Sequence, residues 1–195
     1  MSYSTDATTV DCYEGTTVLI NKLNIRDEKQ LCETEGIITG LKASELMAQP
    51  LKPGFDFEDY KQLHKYLFEM LYEWAGEVRT ISITKSATRF VPAESIAQNG
   101  KSIFERLRSL DYFTALPGDE FILQIADLYN TINLLHPFRE GNGRTQRVFF
   151  FQLIHNAGYE IEYDDLNSDL FMIGTIQAAS GVRDNLIEFF KTAIR

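Results

Sequence analysis

The 195-residue chain carries 19 Lys and Arg against 28 Asp and Glu, a formal charge of −9 that argues against a nucleic-acid reader, which needs a basic field. Its 14 Phe, 9 Tyr and one Trp give too much apolar side chain for a disordered chain, and its length suits one domain with a full core. Two cysteines, Cys12 and Cys32, are too few for a disulfide framework or a Cys-rich zinc site, and no apolar run approaches the roughly eighteen residues of a membrane span.

Residues 1–20 read as a polar N-terminal segment with no basic or apolar leader, which predicts a cytoplasmic chain unless a secretion system that ignores such leaders exports it. From residue 21 to residue 195 the pattern is that of one domain. Leu31, Thr34, Ile38 and Leu41 recur at helical spacing and predict a helix over about 27–47. Lys52-Pro53-Gly54 is a turn. Asp56 is the expected N-cap of a second helix, with Asp59 in the capping-box position, a stripe of Tyr60, Leu63, Leu67, Leu71 and Trp74, and Gly76 as its stop. His64 on that stripe reads as a partnered, semi-buried core histidine.

Between Val78 and Val91 the period changes to two, with Ile81 and Ile83 alternating with Thr80, Ser82 and Thr84, which predicts a short hairpin turning at Lys85 to Thr88. A helix over about 94–110 follows, weakened by Gly100. Next comes one with the stripe Phe121, Ile125, Leu128, Ile132 and Leu135, ended by Pro137, which also drives His136 out of helical geometry. The segment 144–157 is apolar nearly all round and should be the buried centre, with His155 read as a second core histidine. Helices near 169–179 and 184–193 complete an all-α domain with one short β-hairpin.

The chemistry concentrates in residues 136–147, His-Pro-Phe-Arg-Glu-Gly-Asn-Gly-Arg-Thr-Gln-Arg. Gly141, Asn142 and Gly143 let the backbone turn tightly into a helix N-terminus and aim several N–H groups at an anion. Arg144 and Arg147 share a face of the first turn, where two cations oppose the helix dipole and make sense with a phosphate in place. His136 can act as a general base near neutral pH, Glu140 can give one oxygen to Mg2+ beside phosphates, and Asn142 can donate to a phosphoryl oxygen. Neither a P-loop nor a Rossmann fingerprint is present.

This stretch resembles the signature of the Fic (Fic/Doc) family, H-x-F-x-(D/E)-G-N-G-R-x-x-R, with every defining position present. The likeness extends to residues 23–26, to residues 72–79 and to the hairpin with Lys85 and Phe90. It implies a Fic-type helical domain that transfers AMP from ATP to a Ser, Thr or Tyr hydroxyl of a target protein or of the chain itself. By that resemblance His136 is the base, Glu140 holds Mg2+, and Asn142 with the amides around Gly141 and Gly143 binds phosphate oxygens. Arg144 would meet the β-phosphate and Arg147 the γ-phosphate, while Phe138 anchors the loop in the core. Lys85 to Phe90 corresponds to a flap on which a target segment docks as an added strand. Gly143, where the phosphotransferase branch of the family carries Lys, favours AMP transfer.

The resemblance also implies a restraint. Many members carry a helix with [S/T]-x-x-x-E-[G/N], and Glu35-Gly36 fits its end although Leu31 stands at its first position. Glu35 falls on the apolar face of its helix, where a buried carboxylate needs a cation, and the expected partner is Arg147. Two alternatives stand beside AMP transfer: the same fold moving another phosphorylated moiety, and a catalytically silent partner in a toxin–antitoxin pair held by a separate inhibitory antitoxin protein.

Overall fold

The computed structural model of the chain describes residues 4–5, 11–48, 54–85, 88–163 and 168–195. Helices α1 (Glu28–Ala48), α2 (Phe57–Phe68), α3 (Ile96–Ser109), α4 (Gly118–Leu135), α5 (Asn142–Asn156), α6 (Ser168–Ala179) and α7 (Asp184–Ala193) build the domain, with 3-10 turns at Ala93–Ser95 and Asp111–Phe113. Beside them lie strands β1 (Ser4–Thr5), β2 (Ile83–Lys85) and β3 (Thr88–Arg89). The predicted turn at Lys52-Pro53 and the tip of the hairpin, residues 86–87, fall outside the described residues.

Helix α5 is the centre, as its composition predicts. Val148, Phe149, Phe150, Leu153 and Ile154 are all buried, and α1, α2 and α4 pack around it. Tyr60, Phe104 and Phe149 meet edge to face or tilted at 5.2–5.5 Å, which ties α2, α3 and α5 together. Gly100, expected to weaken α3, is instead required there: a Cβ would stand 2.6 Å from the Phe57 ring, so α2 and α3 approach only because the position is bare.

The α2 N-terminus carries the predicted box. Asp56 accepts from the Asp59 amide at 2.8 Å, and the Asp59 carboxylate accepts from the Asp56 amide at 3.0 Å. The far end differs from the expectation, because α2 stops at Phe68 rather than running on to Gly76. Donors from outside the helix meet its end and the loop beyond: Lys42 Nζ donates to Tyr66 O, Lys22 Nζ to the C-cap Glu69 O, and the Lys22 amide to Leu71 O. The chain then loops through residues 69–76, which turns Tyr72 inward, with no exposed surface, against Trp74 at 4.3 Å.

Two further expectations, on α1 and on His155, are corrected. The buried line of α1 is Leu31, Glu35, Thr39 and Leu46, while Leu41 points outward at 65% exposure, so the helix is rotated toward its polar residues. His155 is exposed and stacks on Phe151 rather than sitting in the core. The second half of the polar N-terminal segment packs on the domain: Val18 and Leu19 are buried, and Asp11 accepts from Arg139 Nε at 3.0 Å. β1 adds a third strand to the hairpin, with Ser4 opposite Thr84 and Thr5 opposite Ile83.

Candidate active site

Residues 136–147 join the C-terminus of α4 to the N-terminus of α5. His136 is the left-handed C-cap of α4, at φ 44° and ψ 59°, with its amide bonded to Ile132 O at 3.1 Å. Pro137 excludes the helical alternative, and the left-handed cap closes the last turn. The ring Nδ1 lies 3.1 Å from Asn133 O, an acceptor only, so Nδ1 carries the hydrogen and Nε2 is the basic nitrogen. Phe90 lies flat on the imidazole at 3.8 Å and 16°.

Behind His136 stands Arg79, only 4% exposed. Its Nε donates to His136 O at 2.8 Å, Nη1 to Ile81 O at 2.7 Å and Nη2 to Val91 O, while its amide donates to Pro137 O. Among the described residues no carboxylate pairs with it, and burial lowers its pKa to about 10, so it stays charged at neutral pH. One guanidinium thus joins both legs of the hairpin to the carbonyl of His136.

His64 holds the other side of the loop. It is fully buried, stacked on Phe138 at 3.8 Å, with Nδ1 accepting from the Gly76 amide at 2.8 Å and Nε2 donating to Glu140 O at 3.1 Å. Burial first, and the nearby Arg144 charge, lower its pKa to about 3, so the ring is a neutral brace. The predicted partnered histidine is therefore more deeply buried than semi-buried. Phe138, without exposed surface, anchors the loop as the resemblance implies.

Asn142 braces the loop from within. Its side chain accepts from the Phe138 amide at 2.9 Å and donates to Phe138 O at 2.7 Å, which uses one of the two hydrogens on Nδ2. Gly141 is left-handed, at φ 81°, and a Cβ there would stand 2.2 Å from the Phe68 ring. Its amide donates to its neighbour Glu140 Oε1 at 2.8 Å, which takes it out of the anion cradle. The amides of Asn142, Gly143 and Arg144 open α5, have no carbonyl one turn back, and make no hydrogen bond among the described residues. Around Gly143 nothing lies within 4 Å of a Cβ position.

The charges divide unevenly. Arg144 Nη2 donates to Glu35 Oε2 at 2.8 Å and to Glu140 Oε1 at 3.3 Å, and its guanidinium lies over the Phe68 ring at 4.7 Å. Burial opposes its charge, but Glu35 and Glu140 outweigh that and raise its pKa. Glu35, 7% exposed, also accepts from the Tyr72 hydroxyl. The expected Glu35–Arg147 pair is thus replaced by Glu35–Arg144, while Arg147 is exposed and makes no ion pair among the described residues. Glu140 keeps Oε2 unbonded among the described residues, and no cluster of three metal-ligating side chains occurs among them. One monodentate carboxylate beside a phosphate cradle fits Mg2+, which takes its remaining ligands from phosphate and water. The side chain of Lys85 lies outside the described residues, and Phe90 lies against the His136 ring. Sequence reasoning assigned no role to Tyr72 or Arg79, although both lie in the 72–79 stretch that carried part of the resemblance.

The Fic/DOC family model matches residues 54–154. The probable protein adenylyltransferase y4lH of Sinorhizobium fredii is 36% identical over 87% of this chain and 88% of its own length. The probable protein adenylyltransferase Fic of Escherichia coli is 30% identical over 87% of this chain and 84% of its own. Among solved structures, the BepC protein of Bartonella tribocorum with bound AMPPNP superposes at a TM-score of 0.86 with 25% identity, covering 95% of this chain and 96% of that one.

Proposed function

The chain belongs to the Fic/DOC family, and from that premise we propose that it is a protein adenylyltransferase moving AMP from ATP to a Ser, Thr or Tyr hydroxyl of a target protein. The observation that carries the reading is the placement of a histidine, its hydrogen fixed on Nδ1, at the mouth of a helix N-terminus with open amides and two arginines. The target hydroxyl gives its proton to His136 Nε2 as its oxygen bonds to the α-phosphorus. The bond from that phosphorus to the bridging oxygen breaks on the opposite side, and pyrophosphate leaves. The amides of Asn142, Gly143 and Arg144 receive phosphate oxygens, with Arg144 on the β-phosphate and Arg147 on the γ-phosphate.

Glu140 Oε2 is the protein oxygen for Mg2+, which when bound supplies positive charge against the phosphates. Asn142 fixes the loop on which these groups sit. On the flap, β2 is flanked by β1 and β3, so a target segment pairs with the β3 edge or displaces Ser4–Thr5.

Intact-mass measurement after incubation with magnesium and ATP, with and without candidate target proteins, tests the reading. Wild type should gain AMP or pass it to a target, and His136→Ala should lose transfer by at least ~100-fold while keeping ADP affinity within twofold. Equal transfer by His136→Ala overturns the role of the base, and absence of transfer with every nucleotide overturns the activity.

A further inference from the structure

Glu35 invites two opposite readings, a brake that occupies a phosphate-binding arginine or a fixed counter-ion that orients it. The contacts separate them. A brake must cover the donors a phosphate would use and must be able to leave. Glu35 reaches Arg144 only at Nη2 and leaves Nε without a hydrogen bond among the described residues. Nη1 faces only Thr39 Oγ1, at 3.5 Å. The second carboxylate oxygen of Glu35 is drawn back from the cradle by the Tyr72 hydroxyl.

Nothing in this arrangement is built to move. Glu35 sits in the second turn of a 21-residue helix packed on α2 and α5. The next turn is tied to it through Thr39 Oγ1, which donates to Glu35 O at 2.6 Å. Tyr72 has no exposed surface, is clamped between Trp74 at 4.3 Å and Phe68 at 6.5 Å, and has its pKa raised, first by burial and then by the Glu35 charge, so the phenol remains a donor. Phe68 in turn floors the Arg144 guanidinium. The plane of that guanidinium is therefore set by an aromatic face beneath and a braced carboxylate at one corner.

We propose that Glu35 and Tyr72 are positioning residues for the proposed reaction, a braced pair that holds Arg144 in the orientation it needs to receive the second phosphate of the nucleotide. The inference rests on the proposed function for the placement of Arg144 on that phosphate. Without the pair, Arg144 keeps Glu140 as its remaining carboxylate and loses the second corner that fixes its plane.

The test is the ratio of ADP to AMP affinity, measured by calorimetry at one magnesium concentration in wild type, Glu35→Gln and Tyr72→Phe. AMP lacks the phosphate that Arg144 would meet, so a positioning role moves the ratio and leaves AMP affinity within twofold. Glu35→Gln should lower the ratio by about tenfold, the scale of one charge-assisted hydrogen bond, and Tyr72→Phe, which keeps the aromatic stack, by about threefold. A merely structural role would weaken both nucleotides alike and overturns the inference, as does an unchanged ratio. A ratio that rises in Glu35→Gln, with faster AMP transfer, marks Glu35 as a brake and also overturns it. Should Glu35→Gln fail to fold, Tyr72→Phe decides on the same ratio. Failure of wild type to transfer AMP would count against the activity alone, since the ratio asks only where the Arg144 charge lies.

Discussion

Two buried or half-buried arginines flank the same loop and are satisfied in opposite ways. Arg144, on the phosphate side, is held by the carboxylates of Glu35 and Glu140. Arg79, on the flap side, is held by the carbonyls of Ile81, Val91 and His136. A carboxylate partner sets the charge at a site, whereas carbonyl partners leave the charge in place and fix the backbone. The Arg144 side is thus an electrostatic arrangement, and the hairpin side a geometric one that gives His136 and the hairpin a common reference.

Removing each anchor should expose that difference. The largest effect belongs to Arg79→Met, which leaves three backbone carbonyls without their donor, two of them on the hairpin. It should cost about 3 kcal/mol in a urea melt and reduce AMP transfer by at least tenfold, while the ADP-to-AMP affinity ratio stays within twofold. A ratio that moves with Arg79 would break the division of labour between the two sides. Arg79→Lys, with three donors but no planar fork, should recover part of the stability.

The next effect is on pH. His64 is neutral when folded down to about pH 3, whereas an unfolded histidine binds a proton near 6.5. Below that value the unfolded chain gains a proton that the folded chain refuses, so stability falls as pH drops, by about 2 kcal/mol at pH 5 relative to neutral. His64→Gln should flatten this slope in urea midpoints collected from pH 7 to pH 5, whereas an unchanged slope would place the acid sensitivity elsewhere. The smallest effect is expected from Asp11→Asn. Its pair with Arg139 is partly exposed and should be worth about 0.5 kcal/mol, with AMP transfer unaltered.

How much of this was legible beforehand follows from what writes itself into a sequence. The loop from His136 to Arg147 was legible because its chemistry is contiguous and its glycines, proline and helix start constrain one another. Glu35 was legible as a buried carboxylate from its spacing to Leu31 and Ile38. Its partner was not, because Arg144 and Arg147 share a helix face, and the choice between them depends on how α1 is rotated. That rotation places Thr39 inside and Leu41 outside, against the apolar count. Arg79 left no trace as a hub because its partners are carbonyls, which every residue carries. The end of α2 at Phe68 was hidden for a similar reason: no glycine or proline stops it, and distant Lys22 and Lys42 donate to carbonyls at its end and C-cap.

Phe90 lies flat on the imidazole of His136. A ring in that position covers one face of the imidazole. In the mechanism proposed above, where His136 is the base, that removes one direction from which bulk water could compete with a target hydroxyl for the ring.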